Sequence, residues 1–169
     1  ALPDIAMINN ASGAHLEGFG SLQGVINTKG EIYQGLNQRL NDNSGIAIVN
    51  TDSLGYEDWL ARLDTLGVSH VVQFGTAEQA NFRVSDCSVA EQGVGICFKL
   101  NFNEKEYDVE MPVLGFHNAM NAAACVAIAD AAGLRWQQIQ PGLVSFTGVS
   151  GRLQKTKIAT GWLVDDSYN

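Results

Sequence analysis

Seven residues in this sequence have types and spacings that could do chemistry: Asn10, His15, Lys29, Asn118, Asn121, Arg152 and Asp166. A helical pattern begins at about Ser21, with Leu22, Val25, Ile26, Ile32, Tyr33 and Leu36 on one face at three-and-four spacing. Lys29 lies seven residues after Leu22 and four before Tyr33, which places it on that apolar face. Such a lysine either snorkels its ammonium out to water or stays buried with a lowered pKa, because desolvation disfavours the charged form. In the second case a neutral amine is available to take up carbon dioxide. The resulting carbamate is a carboxylate able to hold a hard cation such as Mg²⁺. His15, in the glycine-punctuated loop upstream, is a candidate second ligand, although a single histidine is also read as a hydrogen-bonded polar residue.

Asn118 and Asn121 are three apart at the start of an alanine-rich helical pattern, so they share a face at its N-terminus. Their amides offer both a donor and an acceptor, the combination that reads an adenine edge. The plainer reading makes Asn118 an N-cap. Arg152 precedes one strand pattern and Asp166 follows another. Brought together, they could hold a phosphate and a ribose hydroxyl, or form only a surface ion pair.

These residues need a scaffold that gathers them. Apolar runs at Ile5 to Ile8, Gly45 to Asn50 and Val68 to Phe74 alternate with helical patterns from Ser21 and from Tyr56 to Leu66. That order predicts a mostly parallel, helix-flanked α/β sheet with ligands at the carboxyl ends of its strands. Asn9, Asn10 and His15 fall at such an end, which makes Asn10 a candidate substrate contact. Three further runs, Phe82 to Val89, Ile96 to Phe102 and Tyr107 to Val113, predict an antiparallel three-stranded meander with one wet face. His117 to Leu134 reads as a buried helix capped near Gly133. A second helix over Trp136 to Phe146 should start, kink or break at Pro141, and Gln154 to Ile158 with Trp162 to Val164 reads as a final strand pair.

A formal charge of −8 excludes a broad attraction to nucleic acid or to an anionic membrane surface. No apolar run reaches membrane-spanning length, so no membrane insertion is expected. Three cysteines without CxxC spacing indicate neither a disulfide framework nor a zinc site, and suit a reducing, cytoplasmic setting. The GxxxxGK[ST] phosphate loop is absent from these residues, as are GxSxG, HExxH and an EF-hand loop. Starting without a methionine and stopping directly after an apolar strand pattern, the sequence reads as a piece of a longer protein.

Taken in order, several stretches resemble the Mur ligase family: Asn9-Asn10 through His15-Leu16-Glu17-Gly18-Phe19-Gly20-Ser21, Lys29-Gly30-Glu31-Ile32, Gly115-Phe116-His117-Asn118 with Asn121-Ala122, Gly151-Arg152-Leu153, and Asp165-Asp166-Ser167-Tyr168-Asn169. The resemblance implies an ATP-dependent amide ligase of peptidoglycan precursor synthesis that works through an acyl phosphate. HLEGFGS, KGEI and DDSYN point to the members that add D-alanyl-D-alanine to a UDP-N-acetylmuramoyl-tripeptide. It implies ATP and Mg²⁺ as cofactors, a carbamylated Lys29 and a magnesium-binding His15. Asn118 and Asn121 then belong to the adenine, and Arg152 and Asp166 to the rest of the nucleotide. It also implies that residues 1–164 are part of a central ATP-binding domain and that 165–169 start the junction to a C-terminal domain. The phosphate loop and a metal-binding glutamate would lie upstream, so the piece is expected to be inactive alone. A folylpolyglutamate synthase-like ligase and a noncatalytic nucleotide-binding module are the alternatives.

Overall fold

A computed structural model describes residues 2–12, 19–36, 45–91, 93 and 95–168. The chain runs β1 (Ile5–Ile8), α1 (Leu22–Gly30), β2 (Ile46–Asn50), α2 (Tyr56–Thr65), β3 (Val71–Gly75), β4 (Phe82–Val89), β5 (Ile96–Phe102), β6 (Lys105–Met111), α3 (Phe116–Ala131), α4 (Trp136–Ser145), β7 (Gln154–Ile158) and β8 (Gly161–Asp165). A short 3₁₀ turn, Glu31–Leu36, extends α1. The first six strands form one sheet in sequence order, and β7 and β8 form a separate hairpin.

The pairs β1–β2, β2–β3 and β3–β4 are parallel, whereas β4–β5 and β5–β6 are antiparallel. The expected meander is therefore the continuation of the parallel sheet. A parallel connection normally needs a helical crossover. Between β3 and β4 a short loop suffices, because only Phe74 with Phe82 and Gly75 with Arg83 overlap.

Period-two alternation decides which core each strand residue enters. In β2, Ala47 and Val49 pack with Val25, Ile26 and Trp59 of α1 and α2. Ile48 points the other way, into the core built by α3, α4 and the meander. A strand covered on both faces has no polar position to spare, so Ile-Ala-Ile-Val reads as an unbroken apolar run. In β5 the alternation is clean: Ile96, Phe98, Leu100 and Phe102 are buried, and the residues between them are partly wet. The β5–β6 turn places Asn103 and Glu104 at φ of 50° and 60°, the positive angles that a two-residue type I′ hairpin requires.

The helix ends follow local rules. Ser21 caps α1, its Oγ accepting from the Gly24 N–H at 3.0 Å. Gly133, at φ 86°, ends α3 in a Schellman motif, with Leu134 N–H donating to Ala129 O and Gly133 N–H to Asp130 O. Helix α4 runs through Pro141, and both Pro141 and Gln137, whose carbonyl the proline leaves without a backbone donor, are exposed residues.

Three expectations shift. The apolar face read through Ile32 changes phase where α1 tightens into the 3₁₀ turn. Three residues per turn keep Tyr33 and Leu36 eclipsed and buried while Ile32 is 49% exposed. Strand β3 starts at Val71, because Val68 closes the Schellman end of α2 by donating to Leu63 O. Strand β6 spans Lys105–Met111, so it starts and ends earlier than its apolar pattern suggests; the tight turn at Asn103-Glu104 sets its register. The polar linker Asn37 to Ser44, like His15, lies outside the described residues.

Candidate nucleotide-binding site

The polar end of β1 is held by β2. Asn50, 7% exposed, donates from Nδ2 to the Asn9 carbonyl at 2.8 Å and accepts at Oδ1 from the Asp52 N–H at 2.8 Å. Ser53 Oγ accepts from the Ala11 N–H at 3.0 Å and lies 3.3 Å from Asn10 Oδ1. Two buried polar residues thus hold the backbone of Asn9 and Ala11 and the side chain of Asn10, a network of the kind that makes a loop rigid.

Lys29 reaches the same place. Its Nζ donates to the Asn10 carbonyl at 2.7 Å. The side chain is exposed, as in the snorkelling alternative and not the buried one. At its level β1 has already given way to the Asn9–Ala11 segment, so the lysine meets a backbone carbonyl and water. Gly30 takes the buried position, packed against the Trp59 ring. Burial therefore supplies no argument for a neutral amine here. What the fold does supply is proximity to the β1 end.

Across the sheet edge, the first turns of α3 form one wall of a cavity of about 390 Å³. Asn118, Asn121 and Cys125 share its face at spacings of three and four, and all three line the cavity. The opposite wall comes from Phe146 to Val149, Arg152, Leu153, Lys155 and Trp162. The volume falls within the roughly 300–1,000 Å³ of small-molecule sites, and the lining is largely apolar with a few polar groups. A second cavity of about 260 Å³ is lined by His117, Arg152, Leu153, Asp166 and Tyr168. The two cavities share His117, Arg152 and Leu153.

Asn118 is not the N-cap. Gly115 caps α3 at φ 92°, and Asn118 sits in the first turn, its Nδ2 donating to the Leu114 carbonyl at 2.7 Å. A Cβ on Gly115 would lie 2.5 Å from the His117 ring, so glycine is needed for the ring to fold back there. Asn121 Oδ1 accepts from Asn9 Nδ2 at 2.8 Å, joining α3 to the end of β1. Arg152 lies over the Tyr168 ring at 4.0 Å, and Asp166 Oδ1 accepts from the Leu153 N–H at 3.3 Å.

Desolvation in the cavity wall lowers the Lys155 pKa below its ordinary value, and burial raises that of Cys125. The sequence reading passed over Lys155, Trp162, Asn50 and Ser53. A signal for the last two was present: a polar Asn-Thr-Asp-Ser run directly follows an apolar strand at the same sheet end as Asn9-Asn10. Of the expected site residues, Asn10 and Lys29 meet at the β1 end, Asn118, Asn121 and Arg152 meet in the larger cavity, and Asp166 joins Arg152 in the smaller one. The Asn9–Asn121 hydrogen bond links the two groups.

A mostly parallel sheet with an amide-lined cleft beside its carboxyl edge defines an α/β ligand-binding domain. The Mur ligase middle domain pattern matches residues 1–129, and the chain belongs to that family. It is 38% identical to the UDP-N-acetylmuramoyl-tripeptide–D-alanyl-D-alanine ligase of Escherichia coli K12, over 99% of this chain and 35% of that protein. The MurF structure from Acinetobacter baumannii superposes with a TM-score of 0.83 at 28% identity, covering 99% of this chain and 34% of that one. The Thermotoga maritima MurF ligase, solved in complex with ADP, shares the fold at a TM-score of 0.81 and 23% identity, over 100% of this chain and 36% of that one. The chain thus spans about a third of the length of these relatives. No helix among the described residues is long and apolar enough to cross a membrane.

Proposed function

We propose that this chain is the nucleotide-binding middle part of a cytoplasmic ligase that joins D-alanyl-D-alanine to a UDP-N-acetylmuramoyl-tripeptide at the expense of ATP. The observation that carries the reading is the cavity in which the Asn118 and Asn121 amides and the Arg152 guanidinium converge. Its apolar walls suit a purine, and its amides supply the donor and acceptor that an adenine edge needs. Arg152 extends from this cavity to the smaller one beside Asp166, the order in which base, ribose and phosphate follow one another. The 38% identity to the Escherichia coli ligase supports the choice of substrates.

ATP supplies the phosphoryl group that activates the tripeptide carboxylate for attack by the incoming amine. The chain's own residues orient and neutralise. Asn118 and Asn121 hold the base, Arg152 balances phosphate charge, and Asp166 accepts from ribose hydroxyls. Asn10 contacts substrate at the β1 end. Lys29, exposed at the β1 end, would as a carbamate hold Mg²⁺ together with His15, and that cation would supply neutralisation of phosphoryl charge. Among the described residues no three His, Cys, Asp or Glu side chains converge as a metal site. The five residues 165–169 begin the junction to a following domain, and the piece alone does not turn over.

The test uses the full-length protein with ATP and Mg²⁺, given either D-alanyl-D-alanine and the UDP-tripeptide or a folate and glutamate. Amide product from the first pair alone is expected. Turnover with the folate pair would transfer the reading to a folylpolyglutamate synthase-like ligase, and ATP binding without either product would leave a noncatalytic module. Lys29→Ala should abolish turnover, with partial recovery on adding a short carboxylate. Full activity of Lys29→Ala refutes the carbamate.

A further inference from the structure

We propose that Asn9, which lies outside the cavity, is the positioning residue that sets the preference of the site for adenine by fixing which end of the Asn121 amide is presented to the base. The inference rests on the nucleotide reading above and goes one step further into it. The two amides that line the cavity are not equivalent, because each has one function already engaged. The Leu114 carbonyl is an acceptor only, so its partner at 2.7 Å must be the Asn118 NH₂, and Asn118 Oδ1 is left to accept. Asn121 is held the other way round: its Oδ1 accepts from Asn9 Nδ2 at 2.8 Å, and its NH₂ is left to donate.

The cavity therefore offers an acceptor from Asn118 and, one turn further along the same helix face, a donor from Asn121. An adenine edge presents the complement, an amino donor beside a ring-nitrogen acceptor. The hydrogen bond that engages the Asn121 amide comes from the Asn9 side chain at the end of β1, where Asn50 holds the Asn9 backbone carbonyl. Asn9 is exposed and contributes no lining of the cavity, so its effect on base recognition passes only through Asn121.

The experiment measures dissociation constants of ADP, 1-deaza-ADP and 7-deaza-ADP for the full-length protein, for Asn9→Asp and for Asn9→Ala. Each deaza analogue replaces one ring-nitrogen acceptor by C–H. In the unmodified protein the analogue that loses the acceptor facing Asn121 should bind about fivefold more weakly than ADP, the worth of one neutral hydrogen bond. An aspartate at position 9 can only accept, so Asn121 must turn its NH₂ to it and present Oδ1 to the ring. The deaza penalty should then vanish in Asn9→Asp and shrink in Asn9→Ala. Any general repulsion from the added charge acts alike on all three diphosphates and cancels in the ratio. A merely structural role for Asn9 would weaken all three ligands together and leave the ratio unchanged, which overturns the proposal. So does an unmodified protein that binds ADP with no penalty for either analogue, and that result leaves the nucleotide reading standing. Failure of the unmodified protein to bind ADP overturns both.

Discussion

Asn50→Leu is the substitution that best tests how the site is held. Asn50 is a buried amide at the end of β2 with both functions engaged, one on the Asn9 carbonyl and one on the Asp52 N–H, each at 2.8 Å. Leucine has similar size and neither function. Two hydrogen bonds worth about 1 kcal/mol each are lost, and a donor and an acceptor are left to find new partners at about 1–3 kcal/mol each when fully buried. Asn9 is exposed, so water recovers part of that second cost, and the expected loss is about 2–3 kcal/mol. Against a total of about 5–15 kcal/mol for a domain, this is large. Asn50→Asp keeps the acceptor for Asp52 but sets a buried carboxylate against the Asn9 carbonyl, so a loss at least as large is expected at neutral pH. Urea unfolding followed by circular dichroism gives both values, with an unchanged m-value showing that the effect is on stability. Because Asn50 also pins the backbone that positions Asn9, Asn50→Leu should weaken ADP binding as well. A leucine variant within about 0.5 kcal/mol of the unmodified protein, the range of ordinary surface changes, would refute the reasoning.

Gly75→Ala should cost about 3 kcal/mol in the same assay, because φ is 154° and a Cβ would lie 1.8 Å from Thr51 Oγ1; adding Thr51→Ala should restore part of it. Tyr33 is fully buried and donates to the Ile48 carbonyl at 2.9 Å, and burial raises its pKa above the ordinary 10.0. The folded state then keeps a proton that the unfolded state releases, so stability is intact below pH 10.0 and falls as pH rises beyond it. Tyr33→Phe should lose about 1 kcal/mol at neutral pH and flatten that alkaline decline, as read from urea midpoints across pH. Cys125 lines the cavity whereas Cys87 packs against the core beneath the meander, so ADP should slow alkylation of Cys125 by iodoacetamide and leave Cys87 unaffected. Equal rates for Cys125 with and without ADP would contradict the placement of the base.

Much of the scaffold was legible in the sequence because it is set by short-range chemistry. Unbroken apolar runs gave buried parallel strands, alternation in Ile96 to Phe102 gave a one-sided strand, and Gly133 marked a helix end where a positive φ is needed. The candidate site was legible as residue types in order: amides three apart on a helix start, an arginine and an aspartate flanking a strand pair, and a lysine near a strand end. Their grouping was legible only through the resemblance.

Where the structure departs from the sequence pattern, the backbone had changed course or another group had taken the expected role. Lys29 has the helical phase of a core residue and is exposed, because the strand that should lie beneath it has ended. Ile32 leaves the buried face because the helix tightens before it. Asn118 has the type of an N-cap and is instead in the first turn, held by the carbonyl of Leu114. The sequence by itself determined the elements, the two apolar cores and the residue types available for chemistry, since these follow from hydrophobic period and backbone preference. Only the tertiary structure decided that Asn9, 112 residues from Asn121, would hold its amide. Hydrogen-bond direction depends on which groups meet across the fold, and no local pattern records that.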